Sequence, residues 1–306
     1  MAVRTPLPDD LPASGFAVGD ALALGVSTSR LRGADLNRPF WGVRSVGGTS
    51  FDLLARATAY LSSRSTPAVL SHISAAQIWG IPLPSKWQHD DRLHVSVPPD
   101  MRAPRGAGVA GHHLRLHPSD VELRSGIRLT SQSRTLCDLA SVFGEEDLLA
   151  AADYLLWWRR TDDDRVGRVE IAQSIGRHPT SRGMRKLRAI ELQASDRSDS
   201  PPESKIRFRI VRAGLPLPDV NLELFDSRGR FLGMPDLSFA RYKVALDYEG
   251  DHHRTDPEQW EKDIHRVPRL QDAHWHHTRI SRSDLRDSTD FLARLARNLR
   301  ERGWTP

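Results

Sequence analysis

Apolar and polar residues alternate along "VALDYEG", Val244 to Gly250. That period predicts a strand with Val244, Leu246 and Tyr248 facing a core and Ala245, Asp247 and Glu249 on the other side. Around it the pattern predicts a compact unit over residues 196–306. Pro201 and Pro202 open a helix with Ile206, Ile210 and Val211 on one face, ended by Gly214. "VNLELFD" and "RFLGMPDLSF" read as two strands joined at "SRG", a β-hairpin with its glycine in the turn. "DPEQWEKDIHRVPRLQDA" is helical in pattern, "HWHHTRIS" fits a fourth strand, and "STDFLARLARNLRERG" predicts a terminal helix.

The first segment, residues 1–60, has a different rhythm. Leu22, Val26 and Leu31 have roughly helical spacing, interrupted at Gly25, with Ser27 placed to cap a second helix. Phe40 to Val46 reads as a strand. Helix, turn, helix and strand is the order of a winged helix-turn-helix, in which Thr28, Ser29, Arg30 and Arg32 would read DNA. A plain helical hairpin fits the same pattern. Residues 61–195 are expected to form a mostly helical middle domain, with one strand at "RLHVSVPP" and two helices meeting at Phe143–Gly144. The hydrophilic "ASDRSDSPPES", Ala194 to Ser204, reads as a linker and sets the last boundary. The class is therefore α/β and multidomain.

Composition narrows the partners. The chain has 306 residues and a formal charge of +5, and arginine greatly outnumbers lysine. Guanidinium groups bind phosphate oxygens in pairs, so nucleic acid is an admissible partner. The single cysteine, Cys137, excludes a disulfide framework and a thiolate zinc site. No apolar run is long enough for a membrane span, and the first residues lack a signal-peptide core, so the expected location is cytoplasmic.

The chemistry gathers on the acid face of the strand. Adjacent carboxylates repel unless a cation joins them. Asp236, near the end of the preceding strand, would join Asp247 and Glu249 if the strands are neighbours, and Glu203 would add an acid from the helix. Oxygen ligands favour Mg²⁺ or Mn²⁺ over zinc. Such an ion beside phosphate polarises the phosphoryl group and acidifies a bound water. Gly250 permits a turn that returns His252 or His253 to the acids, as a general acid or base near neutral pH. His72 and the His112–His113 pair lack a third ligand at useful spacing and read as core or surface histidines.

Pro235–Asp236 followed by "DYE" resembles the PD-(D/E)XK nuclease core. The fuller "ALDYEGDHH" resembles the subgroup related to the very-short-patch repair (Vsr) endonuclease. The resemblance implies Asp236 and Asp247 as metal ligands, Glu203 as an outer or direct ligand, and His253 as the acid–base histidine. Glu249 stands where the general motif has lysine, and Asp263 and Arg266 fall at spacings the subgroup often shows. Over residues 10–160, "SHISAAQIWGI" and "SRTLCDLA" more loosely resemble the winged-helix and helical part of AbiEi-like antitoxins. Together these imply a Mg²⁺- or Mn²⁺-dependent endonuclease acting on double-stranded DNA. The alternative is a DNA-binding regulator or antitoxin whose nuclease core is inactive.

Overall fold

A computed structural model describes residues 5–47, 52–63, 67–161, 164–249 and 267–306. The fold is mixed α/β and divides into two compact units: Met1–Phe143 with Val169–Met184, and Gly144–Arg168 with Arg185–Pro306.

The first unit begins with a small antiparallel sheet of β1 (Phe16–Ala17), β2 (Leu36–Asn37) and β3 (Val43–Val46), in the order β1-β3-β2. Helix Val18–Ala23 follows β1, and Gly25 ends it with a left-handed φ of +81°. The expected second helix is a single 3-10 turn, Arg30–Arg32. Ser27 Oγ does accept from the Arg30 N–H (3.2 Å), but the turn closes at once on Gly33. Leu11, Phe16, Ala21, Val26, Leu31 and Leu36 form the local core. Leu22, expected inside, is 44% exposed because Ala21 occupies the inward position.

Residues 61–195 are less helical than their pattern implied. They contribute a five-stranded sheet in the order β6-β5-β4-β8-β7. Its strands are β4 (Val69–Leu70), β5 (Leu93–Val97), β6 (Val109–His113), β7 (Val121–Arg124) and β8 (Ile127–Thr130). Two of its pairings are parallel, β4 with β8 and β5 with β6. Helices His72–Trp79 and Gln132–Leu139 pack on each other beside it. The fully buried Val69, Leu70, Leu93 and Leu129 explain why alternation was a poor guide to these strands.

The second unit takes helix Glu145–Leu156 as well as the C-terminal residues, so the boundary expected near 195 does not coincide with the division of the chain. That helix packs along Pro201–Arg212. Between them Asp153, buried, accepts hydrogen bonds from Ser204 Oγ (2.7 Å) and Arg207 Nη2 (2.5 Å).

Each expected hairpin strand is broken in two. "VNLELFD" supplies Val220 of β9 (Asp219–Val220) and all of β10 (Leu224–Phe225), while "RFLGMPDLSF" gives β11 (Phe231–Gly233) and β12 (Leu237–Phe239). β10 and β11 form the hairpin, with Gly229 in its turn at φ +75°. β9 and β12 join β13 (Val244–Glu249) and β14 (His276–Ser281) in a four-stranded sheet, β14-β13-β12-β9. Val244 and Leu246 pack with Ile206, Ile210, Phe291 and Leu295, as alternation predicts. On the other face Ala245 meets Leu224, Leu232, Leu270 and Trp275, so both faces of β13 are covered at its start. The acids lie beyond this cover, at its end.

Candidate functional site

Strand pairing brings Asp236 and Asp247 together. β12 runs antiparallel to β13 with Leu237 opposite Leu246, which places Asp236 beside Asp247 and Tyr248. The Asp236 N–H donates to Asp247 Oδ1 (3.2 Å), and the Tyr248 N–H donates to Asp236 Oδ2 (2.7 Å). Each aspartate thus holds the strand that carries the other.

The parallel partner β14 adds two residues. Ala245 lies opposite His277 and Asp247 opposite Arg279, so both fall on the acid face. His277 Nε2 donates to Asp247 Oδ2 at 2.5 Å, and Arg279 Nη1 pairs with Glu249 Oε1 at 2.8 Å. Asp247 and His277 are buried, whereas the Glu249–Arg279 pair is exposed.

Glu203 is reached through Asn221. Ser200 caps the helix, its Oγ accepting from the Glu203 N–H (3.4 Å). The buried Glu203 carboxylate accepts from the Asp199 N–H (3.0 Å), Ser200 Oγ (2.6 Å) and Asn221 Nδ2 (3.0 Å). Burial pushes its carboxyl above the usual range against the pull of these donors. The Asn221 N–H in turn donates to the Asp236 carbonyl (3.0 Å). Asn221 therefore ties the helix acid to the strand acids, from a left-handed backbone with φ +44°.

His252, His253, Asp263 and Arg266 lie outside the described residues. Among the described residues, no group of three or more His, Cys, Asp or Glu is arranged to hold a metal ion. The donor set does suit a hard cation: two aspartates side by side, each carboxylate oxygen with two acceptor positions. Mg²⁺ is commonly held by one or two carboxylates, with water and phosphate completing its shell. Sequence reasoning missed His277, Arg279 and Asn221. The first two needed the register of a parallel pair, and the third needed the break between β9 and β10.

The residues expected to read DNA are not laid along one helix. Arg30 is committed to the fold: its guanidinium makes two hydrogen bonds to Asp35 (3.1 and 2.8 Å), and its Nε donates to the Thr5 carbonyl at 2.6 Å. Thr28, Ser29 and Arg32 are exposed on and around the 3-10 turn.

The first unit holds another titratable cluster. His72 and His112 stack with ring centroids 3.9 Å apart, and His94 stacks on His112 at 5.1 Å. His94 Nδ1 and His112 Nε2 are 3.0 Å apart, and His94 Nε2 meets Asp90 Oδ2 at 3.2 Å. Stacked imidazoles present ring faces to one another rather than converging lone pairs. Burial lowers all three, His112 to about 4 and His72 to about 2, and neighbouring positive groups add to the effect. Nearby in the sequence of this unit, Arg134 donates through Nε to Asp138 Oδ1 (2.9 Å) and lies 3.6 Å from Asp120, all three buried.

Two uncharacterized proteins of Mycobacterium tuberculosis, MT2308 and Rv2248, are each 27% identical to the chain over 176 residues, or 57% of its length. The chain spans 63% of the length of these curated relatives. No protein-family profile matches it, and no solved structure does. Among the described residues, no helix is long and apolar enough to cross a membrane.

Proposed function

We propose that the chain is a divalent-metal-dependent endonuclease acting on double-stranded DNA, with its chemistry in the second unit. The observation that carries this reading is the interlocked pair Asp236–Asp247, with Glu203 tied to it through Asn221 and His277 on Asp247. Asp236 and Asp247 would hold Mg²⁺ or Mn²⁺. When bound, that ion supplies Lewis-acid polarisation of the phosphoryl group and a more acidic water. His277 positions the Asp247 carboxylate by donating to one oxygen, while the Asp236 N–H fixes the other. Glu203 anchors the helix start beside the acids. Linear phosphodiester hydrolysis by water attack is the reaction class, and the first unit supplies the DNA-binding module.

A second reading has its own support. Glu249, at the position where the nuclease motif has lysine, is drawn to Arg279 on the surface. That arrangement fits a DNA-binding regulator or antitoxin with an inactive nuclease core. Incubation of supercoiled plasmid with the purified chain in Mg²⁺, Mn²⁺ or EDTA separates the two. Metal-dependent nicking, lost in Asp236→Asn, supports the enzyme. Binding without nicking under every metal supports the regulator.

A further inference from the structure

The loop between β2 and β3 carries Trp41 with 88% of its surface exposed. It is the most exposed of the large hydrophobic side chains among the described residues. Trp41 borders a cleft of about 750 Å³ in the first unit. The base of the loop is fixed: Phe40 is buried edge-on against Tyr60 at 5.2 Å, and Arg56 lies over its ring at 5.8 Å. The tip therefore projects from a rigid footing.

Charge in the cleft is one-sided. Among the described residues that line it, Arg38, Arg44 and Arg105 stand against a single acid, Asp20. Arg44 is held in place by its bonds to the carbonyls of Leu31 (2.8 Å) and Val43 (2.7 Å). Burial, and then the adjacent Arg38 charge, lower the Arg44 pKa. Guanidinium groups and an open indole face match the two halves of a nucleotide, phosphate and base. An acidic peptide would satisfy the arginines but offer Trp41 no flat ring system.

We propose that this cleft binds unpaired nucleotides of a nucleic-acid strand, a base stacking on Trp41 and adjacent phosphates held by Arg38 and Arg105. Inside a duplex both faces of a base are covered by its neighbours, so the exposed indole selects unpaired positions. The inference rests on the proposed function only for nucleic acid as the partner. It moves the contact in the first unit from the Thr28–Arg32 turn to the β2–β3 loop.

The test is fluorescence anisotropy of the full chain with a labelled oligothymidylate in EDTA, across a salt series. Wild type binds, and Trp41→Ala weakens binding about 5- to 150-fold, the range of one base–aromatic stack. Trp41→Phe restores most of the affinity. Arg38→Gln and Arg105→Gln each lower the salt slope by about 0.7, the value for one phosphate of a single strand. Unchanged melting temperatures show that these exposed substitutions leave the fold intact. Wild-type affinity in Trp41→Ala, or no binding by the wild type, overturns the proposal. Plasmid nicking by the same proteins keeps the two readings apart. Normal oligothymidylate binding by Trp41→Ala in a chain that nicks removes the cleft and leaves the nuclease. Weakened binding in a chain that never nicks supports the cleft and counts against the nuclease.

Discussion

Two buried carboxylates, Asp138 in the first unit and Asp247 in the second, are neutralised differently. In the first, Asp138 faces the fixed guanidinium of Arg134 one helical turn away, and Asp120 approaches the same group. Burial still raises the Asp138 carboxyl to about 7. In the second, the donors described on Asp247 are a main-chain N–H and an imidazole. The Asp138 carboxylate is matched to a buried guanidinium of its own helix. That of Asp247 accepts from a neighbouring strand's N–H and from a histidine. "SRTLCDLA" thus carries a buried ion pair, and the end of β13 carries the acids on which the proposed function rests.

The sharpest way to break this contrast is Arg134→Met. It strands the buried Asp138, and removing one partner of a buried pair costs about 3–5 kcal/mol. Urea unfolding should show a correspondingly earlier transition; an unmoved midpoint would place Arg134 outside the structural framework. Asp247→Asn comes next, and its effect falls on activity. Nicking should drop at least about a hundredfold, near 2.7 kcal/mol of barrier, with little change in melting. Mn²⁺ should raise the wild-type melting temperature through binding to the folded state, and Asp236→Asn should abolish that rise. An equal metal response in both would remove the metal assignment.

Acid should separate the units further. His72, His94 and His112 have folded pKa values below the ordinary 6.5, so below that pH the unfolded chain takes up protons that the fold refuses. Their contribution to stability is lost as pH falls from about 6.5 toward 4 for His112, and further for His72. Asp138 has the opposite sign: its raised carboxyl favours the fold as pH drops from about 7 toward its unfolded value. The comparison that isolates the histidines is His112→Gln against wild type at pH 7 and pH 4.5. The melting temperature of the wild type should drop more on acidification; equal drops would show that the stacked ring does not resist protonation. The smallest effect expected is that of Arg30→Ala. Loss of its partly buried pair with Asp35 should cost about 1 kcal/mol. DNA sequence preference should stay unchanged in footprinting, and a change there would restore Arg30 as a reading residue.

The parts of the fold legible in sequence were those whose signals are local. Pro201–Pro202 and Gly214 bracket a helix, and Gly229 turns a hairpin, because caps and turns depend on adjacent residues. The alternation in β13 placed Asp247 and Glu249 on one face because the period of a strand is two. The five-stranded sheet was hidden, since β4 is two residues long and finds its parallel partner β8 far along the chain. The expected recognition helix failed because Ser27, Thr28 and Ser29 favour turns and Gly33 closes the chain early. For the site, Asp236 and Asp247 could be paired by reasoning about neighbouring strands. His277 could not, because nothing in "HWHHTRIS" fixes which alternate residues meet the acids.

Helix Glu145–Leu156 belongs with residues that the ribosome has not yet made when the helix emerges. Its packing partner Pro201–Arg212 follows roughly fifty residues later, a few seconds at about 5–20 residues per second. During that interval the buried Leu148, Leu149 and Leu155 belong to a helix whose packing partner is still unmade. Nascent-chain length should therefore govern their protection from a protease, with shielding gained abruptly once Arg207 can reach Asp153. A gene cut at residue 195 would leave this helix on the longer fragment, parted from its partner Pro201–Arg212.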